Sequence, residues 1–349
     1  MPTPSPPQRT DAAVDANIQP PAHPVVDVED VEAETASETS DYESTASSTA
    51  SVSSSIFDYQ YENGRRYHAF RAGQYLLPND EAEQDRLDIT HHIFRLCLQG
   101  DLCLSQPSLD DPKRILDVGT GTGIWAMEMG DVFPYAEIHG TDLSPVQPSW
   151  VPPNVRFEID DARDQWTYPP DYFDFIHIRQ LAGSMLDWND LISQSYHHLR
   201  PGGKLEISEG RANFWYAHDS VLLDSFTFQW LMEWRRLSSK MNFDVFPSLP
   251  SLVENMEGSK RFENVRTVEK LVPFGSWPKD RKLKEIGKYF RFQFLESGLD
   301  AYTLALFTRV GQWQELEIKA LLARVRQEMN SGKMHLYTFC SFLTAEKPL

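Results

Sequence analysis

The stretch Asp117-Val118-Gly119-Thr120-Gly121-Thr122-Gly123 sets a carboxylate at the mouth of a glycine-rich loop. Glycine lets backbone lie close to a ligand, and a helix that follows offers free N–H groups. An acid at the loop entrance repels phosphate and suits an amine-bearing or cationic ligand. The dinucleotide fingerprint needs Gly or Ala at the sixth position from Gly119, and Ile124 stands there. Gly203-Lys204 is followed by Leu205, so there is no GxxxxGK[ST] phosphate loop either. Asp142 lies 19 residues past Gly123, the spacing at which an acid accepts hydrogen bonds from ribose hydroxyls. Asp161 is placed to meet an adenine amino group.

These acids need strands that end together. Arg114–Val118 is a short apolar run that reads as a buried parallel strand, and Ile124–Met129 after the loop reads as a helix. Glu137–Thr141, Val155–Ile159, Phe173–Ile178 and Lys204–Ser208 read as four more strands. A helix over Asn189–Leu199 precedes the turn Arg200-Pro201-Gly202-Gly203. Phe262–Leu271 and His335–Leu343 read as the last two strands, with helices over Lys282–Leu295 and Glu315–Met329 between them. Strands alternating with helices predict an α/β fold with a doubly wound, mostly parallel seven-stranded sheet. Asp117, Asp142 and Asp161 then gather at one crevice beyond the strand ends. Asn79–Glu83 reads as the start of an earlier helix, with its acids at the positive end of the dipole.

The 349 residues carry 33 Lys+Arg against 51 Asp+Glu. That acidic balance repels a phosphate backbone and argues against a nucleic-acid partner. Ten of the acids and only one base, Arg9, fall in residues 1–55, with seven prolines. Such a segment cannot bury enough apolar surface to offset its ordering entropy, so a disordered tail is predicted there. No apolar run is long enough to span a membrane, and Met1–Pro7 has no secretory character. Cys97, Cys103 and Cys340 form neither a disulfide framework nor a CxxC metal pair, which predicts reduced thiols in a cytoplasmic protein.

The segment Leu116–Gly123 with Asp142-Leu143 and Asp161-Ala162 resembles the class I S-adenosylmethionine-dependent methyltransferases. Further blocks narrow the resemblance to the fungal LaeA-like (UMTA-type) methyltransferases. They are Tyr61–Phe70, Leu77–Glu81, Glu83–Asp88, Thr122–Ala126, Asp142–Pro148, Trp277–Asp280 and Ala301–Arg309. The resemblance covers about Tyr59 to Pro348. It implies S-adenosylmethionine as cofactor, with Asp117, Gly119, Gly121, Gly123, Asp142, Leu143, Asp161 and Ala162 around it. Asp117 would accept from the methionyl amine or hold the loop. It also implies a methyltransferase domain over 56–349. Within it lie an N-terminal lid and helix (56–112), a cofactor core (113–210) and acceptor-side helices and strands (211–349). Ala217-His218-Asp219 and Met256–Phe262 depart from the family pattern where the acceptor pocket is usually shaped.

A hydroxyl or amine acceptor can require removal of a proton. His177, His68, His218 and Glu209 are the candidate bases, each with a packing role as the alternative. The aromatic run Phe214, Trp215, Tyr216, Phe226, Phe228, Trp230 and Trp234 reads as a packed helix or as a pocket wall. The expected acceptor is an oxygen or nitrogen of a secondary metabolite or small peptide. The alternatives are a nuclear LaeA-type regulator acting through protein partners, a module without catalysis, and an NAD-dependent oxidoreductase. Ile124 and Asp117 count against the last. The basic cluster Lys279–Lys284 reads as a solvated helix start rather than an import signal.

Overall fold

The computed structural model describes residues 59–68, 75–185, 187–211, 214–216, 224–241, 252, 256 and 261–349. The expected acidic tail over 1–55 lies outside the described residues, as does His218.

The chain opens with a hairpin of β1 (Gln60–Glu62) and β2 (Arg65–Tyr67). Asn63 and Gly64 both take positive φ at its turn, the conformation an Asn-Gly pair favours in a two-residue hairpin. Helix α1 (Glu81–Cys97) starts where expected: the Asp80 side chain accepts from the Glu83 N–H.

The central sheet holds β3 (Arg114–Val118), β4 (Glu137–Asp142), β5 (Val155–Ile159), β6 (Phe173–Arg179) and β7 (Leu199–Gly210). They lie in the order β5-β4-β3-β6-β7, all parallel. The order reverses between β3 and β4 on one side and β6 on the other, which opens a crevice at their carboxyl ends. Beyond β7 lie two antiparallel strands, β9 (Glu263–Pro273) and β10 (Leu336–Glu346), with β10 between β7 and β9. These complete seven long strands. The two-residue β8 (Trp215–Tyr216) adds a short extension on β10.

Helices α2 (Ile124–Val132) and α3 (Trp188–His198) pack on the sheet. The central strands are buried on both faces, as their unbroken apolar runs require: Ile115, Leu116, Phe175, Ile176 and Ile178 are fully enclosed. Each such side chain contributes about 1.5–3 kcal/mol of burial. A second core lies between α4 (Phe226–Ser238), α5 (Arg281–Gln293), α6 (Leu299–Ala305) and α7 (Glu315–Asn330).

Two elements run further than the sequence suggests. The turn residues Pro201–Gly203 lie inside β7, because the Gly202 N–H bonds Lys347 O and the Lys347 N–H bonds Gly203 O. A register shift opposite β6 between Phe173 and Phe175 absorbs the extra residues. Helix α5 does not stop near Leu295. It passes through a π-helical segment, Phe294–Gly298, into α6 and a second one, Leu306–Val310. Such widened turns insert a residue into the ladder and commonly border functional cavities.

Candidate active site

The glycine loop folds as a nest. Gly119, Gly121 and Gly123 all have φ between 58° and 79°, a region that strains any other residue. Space closes off substitution too. A Cβ on Gly119 would stand 2.5 Å from Leu181 Cδ2, and one on Gly123 would stand 2.4 Å from Phe157 Cζ. The Gly119 and Thr120 N–H groups bond Thr141 O, tying the loop to β4.

Asp117 works from beneath. One carboxylate oxygen accepts from Thr120 Oγ1 at 2.6 Å, and the other lies 2.8 Å from His177 Nδ1. Both oxygens thus face the protein, and Asp117 does not line the cleft. This is the geometry of the loop-holding role. Asp142 accepts from the Gly121 N–H (2.8 Å) and the Ser144 N–H (3.0 Å). Burial raises its pKa, and those same N–H groups oppose the rise. Asp161 accepts from the Arg163 guanidinium and backbone N–H. Gly119, Gly121, Asp142, Leu143, Asp161 and Ala162 line one cleft, so the structure brings most of the expected donor-side residues together.

The histidines do not join them. His177 is 1% exposed, stacked on Trp125 at 3.8 Å, and lines no cavity. His68 is 2% exposed and packs near Tyr75, also off both cavities. A base must reach the acceptor atom directly or through one water. Both rings are enclosed instead, so they are better read as packing groups than as bases. Glu209 does line a cavity: its Oε1 accepts from the Leu181 and Ala182 N–H groups, and its Oε2 is buried and accepts no hydrogen bond.

Other residues take the ground that sequence reasoning missed. Arg179, at the end of β6, lines the donor cleft. Its hydrogen bond runs to His91 Nδ1 at 3.1 Å, and no described carboxylate pairs with it. His91 Nε2 in turn donates to Glu128 Oε2 at 3.1 Å. Burial, then the Arg179 and Arg95 guanidiniums, push the His91 imidazole down to about 2. It therefore stays neutral and holds Arg179 from behind. In the unfolded chain this histidine takes a proton near 6.5. The unfolded state then binds more protons, so stability present above pH 6.5 is lost as pH falls from there toward 2. The cost approaches about 1.4 kcal/mol per pH unit. His91→Gln should show a shallower loss of thermal midpoint between about pH 6.5 and pH 5 than the parent. Parallel melting curves in scanning fluorimetry would refute the assignment.

A second, larger cavity of about 210 Å³ adjoins the donor cleft, itself about 120 Å³. Tyr75, Leu87 and Gln180 line both and mark the passage between them. Phe214, Trp230, Leu231 and Trp234 form part of the larger cavity's wall, so the aromatic run is both packed helix and lining. Phe226 points outward, at 40% exposure.

The dispersed sequence blocks meet around these cavities. Glu62 of the hairpin accepts from Arg309 Nε (2.8 Å), and Asn79 Nδ2 donates to Ser144 Oγ (3.3 Å). Thr122 Oγ1 donates to Asp88 (2.6 Å), and Arg86 donates to Tyr302 Oη (3.0 Å). Hairpin, α1, glycine loop and the α5–α6 run are thereby fastened into one enclosure.

A family model described as a methyltransferase domain matches residues 89–257. The methyltransferase pytC of Aspergillus terreus is 44% identical over 299 residues, covering 85% of this chain and 90% of that protein. The secondary metabolism regulator LAE1 of Cochliobolus heterostrophus is 35% identical, covering 82% and 94%. The protein-methionine methyltransferase laeA of Emericella nidulans is 32% identical, covering 82% and 76%. With relatives of this identity spanning most of its length, the chain belongs to the fungal LaeA-like S-adenosylmethionine-dependent methyltransferases.

Proposed function

We propose that the chain methylates an oxygen or nitrogen of a small-molecule acceptor held in the apolar cavity, using a donor held in the glycine-loop cleft. The observation that carries this reading is the pair of adjoining cavities with a common wall at Tyr75, Leu87 and Gln180. S-adenosylmethionine supplies a methyl group already activated on sulfur, so the protein's main task is alignment.

The residues present fit that donor. Gly119 and Gly121 give a backbone cradle that a Cβ would disturb. Asp142 is positioned for ribose hydroxyls, with Leu143 beside it, and Asp161 and Ala162 for the adenine side. Asp117 and Gly123 shape the loop from below. Arg179 is the cation for the methionyl carboxylate, the one donor group for which the sequence offered no partner. Residues 56–112 act as lid, 113–210 as donor core and 211–349 as acceptor side.

The relatives named as regulators keep open a role exerted through protein partners, and one is named for methionine in a protein. The aromatic-walled cavity, about 210 Å³, favours a small acceptor over a protein segment. In the basic cluster Asp280 caps α5, Lys279 and Lys282 are exposed and Lys284 is half-buried, as in a solvated helix start. No helix among the described residues is long and apolar enough to cross a membrane.

Calorimetric titration of the full chain with S-adenosylhomocysteine tests the donor site. Micromolar binding is expected in the parent. Asp142→Ala should weaken it by about tenfold, the worth of a lost charge-assisted hydrogen bond. A well-folded parent that does not bind would overturn the reading.

A further inference from the structure

We infer that the acceptor is an aromatic hydroxyl compound, bearing no anionic group, whose reacting oxygen is gripped by the Gln180 side-chain amide. This deepens the methyltransferase reading and rests on it.

The argument is an inventory of what the larger cavity offers a ligand. Its surface is mostly aromatic and aliphatic, with Phe214, Trp230, Phe290, Phe294 and Phe339 among its walls. Rings of that kind favour aromatic guests through stacked and edge-on contacts. The cations on the wall are already engaged. Arg86 is paired bidentately with Glu83, at 2.7 and 2.9 Å. Glu209 accepts two backbone N–H groups, and Arg211 is paired with Glu269. The indoles are engaged as well: Trp230 Nε1 donates to Thr303 Oγ1 and Trp234 Nε1 to Tyr302 O. An anionic acceptor would enter without a counter-charge and bear the desolvation cost in full.

Three polar side-chain atoms on this wall are buried without a hydrogen-bond partner: Gln180 Nε2, Gln293 Oε1 and Glu209 Oε2. Orphaned buried polar atoms are rare and costly, so a ligand that satisfies them gains what the protein alone forfeits. Gln180 stands at the passage to the donor cleft and holds a φ of 59°, a conformation uncommon for a side chain of its kind and typical of functional positions. Gln293 is 4% exposed, immediately before the π-helical segment. Gln180 Nε2 thus donates to the oxygen that reacts, and Gln293 Oε1 accepts from a second donor on the guest.

The chemistry closes without a buried base. The acceptor oxygen gives a lone pair to the methyl carbon. The new O–C bond forms as the S–C bond breaks, and the S–C pair stays on sulfur, which becomes a neutral thioether. The hydroxyl proton goes to water. A phenolic hydroxyl, with a pKa near 10 like that of tyrosine, releases that proton readily enough without His68 or His177.

Three probes share one ring system and differ in polarity and charge: 1-naphthol, naphthalene and 1-naphthoic acid. Each is titrated into the full chain saturated with S-adenosylhomocysteine. We expect 1-naphthol to bind at least about tenfold more tightly than 1-naphthoic acid. Its advantage over naphthalene should be about fivefold, one neutral hydrogen bond, and should vanish in Gln180→Met. A merely structural role for Gln180 would weaken both probes alike and leave that ratio intact. With S-adenosylmethionine, mass spectrometry should find the methyl ether of 1-naphthol. 1-Naphthoic acid binding as well as naphthol, or a ratio unchanged in Gln180→Met, would overturn the inference. Titration of S-adenosylhomocysteine alone, on parent and variant, separates this failure from failure of the donor site.

Discussion

Replacing Arg179 by methionine should weaken S-adenosylhomocysteine binding by about 30- to 1,000-fold, while the thermal midpoint stays level or rises. The two effects have opposite signs because the guanidinium has no described carboxylate partner in the folded chain. Desolvation already lowers its pKa, with Asp117 and Glu128 opposing at longer range. Its contacts are a single hydrogen bond to the neutral His91 ring and the face of Phe94, 5.5 Å from the ring centre. Removing an unpaired, partly buried cation relieves the fold, whereas a ligand carboxylate loses its charge partner. The affinity loss should be specific to the amino-acid end of the ligand. 5′-Methylthioadenosine carries the adenine, ribose and sulfur but no carboxylate, so its affinity should be nearly the same in parent and variant. Equal losses for both ligands would show that Arg179 shapes the cleft in general and holds no carboxylate. A large fall in midpoint would point to a structural role instead.

The sequence made the donor core readable because its signals are contiguous. Asp117 and the three glycines sit within seven residues, and their strand-loop-helix context is spelled by an apolar run on one side and helix formers on the other. Asp142 and Asp161 were found because each ends a short apolar strand. Arg179, His91 and Gln180 escaped for the opposite reason. Arg179 meets His91 88 positions away and His91 meets Glu128 37 positions away, while Gln180 faces cavities walled by distant elements, and nothing in their neighbours announces those meetings. One local cue was available and unused: Asn63-Gly64 between two short runs marks the opening hairpin. Others misled. Arg200-Pro201-Gly202-Gly203 has turn composition yet pairs with the C-terminal Lys347, so a tertiary contact overrode local preference. The histidines looked chemical because of their type alone, and packing enclosed both that the structure describes. The blocks that carry the family resemblance make physical sense only in three dimensions. Glu62 with Arg309, Asn79 with Ser144 and Asp88 with Thr122 are the pairs that close the enclosure.

The most destabilising change expected in that enclosure is Arg86→Met. Arg86 and Glu83 are 3% and 2% exposed and joined by two hydrogen bonds, one turn apart on α1. Arg86 also donates to Tyr302 Oη and lies 5.1 Å from the centre of that ring. The variant leaves Glu83 buried with no counter-charge, a loss of about 3–5 kcal/mol. At about 2–4 °C per kcal/mol for a domain of this size, the midpoint should fall by roughly 10 °C. The double variant Glu83→Gln with Arg86→Met removes the stranded charge and should recover most of that loss. If the double variant is no better than the single one, the cost lies in the Tyr302 and Thr90 contacts rather than in the ion pair. Function adds a second readout. Glu83 lines the donor cleft and Arg86 the larger cavity, so the pair stands in the partition between them. Recovery of the midpoint in the double variant without recovery of methyl transfer would mean that the pair does more than hold α1 in place. It would mean that the position of the partition itself sets how donor and acceptor meet.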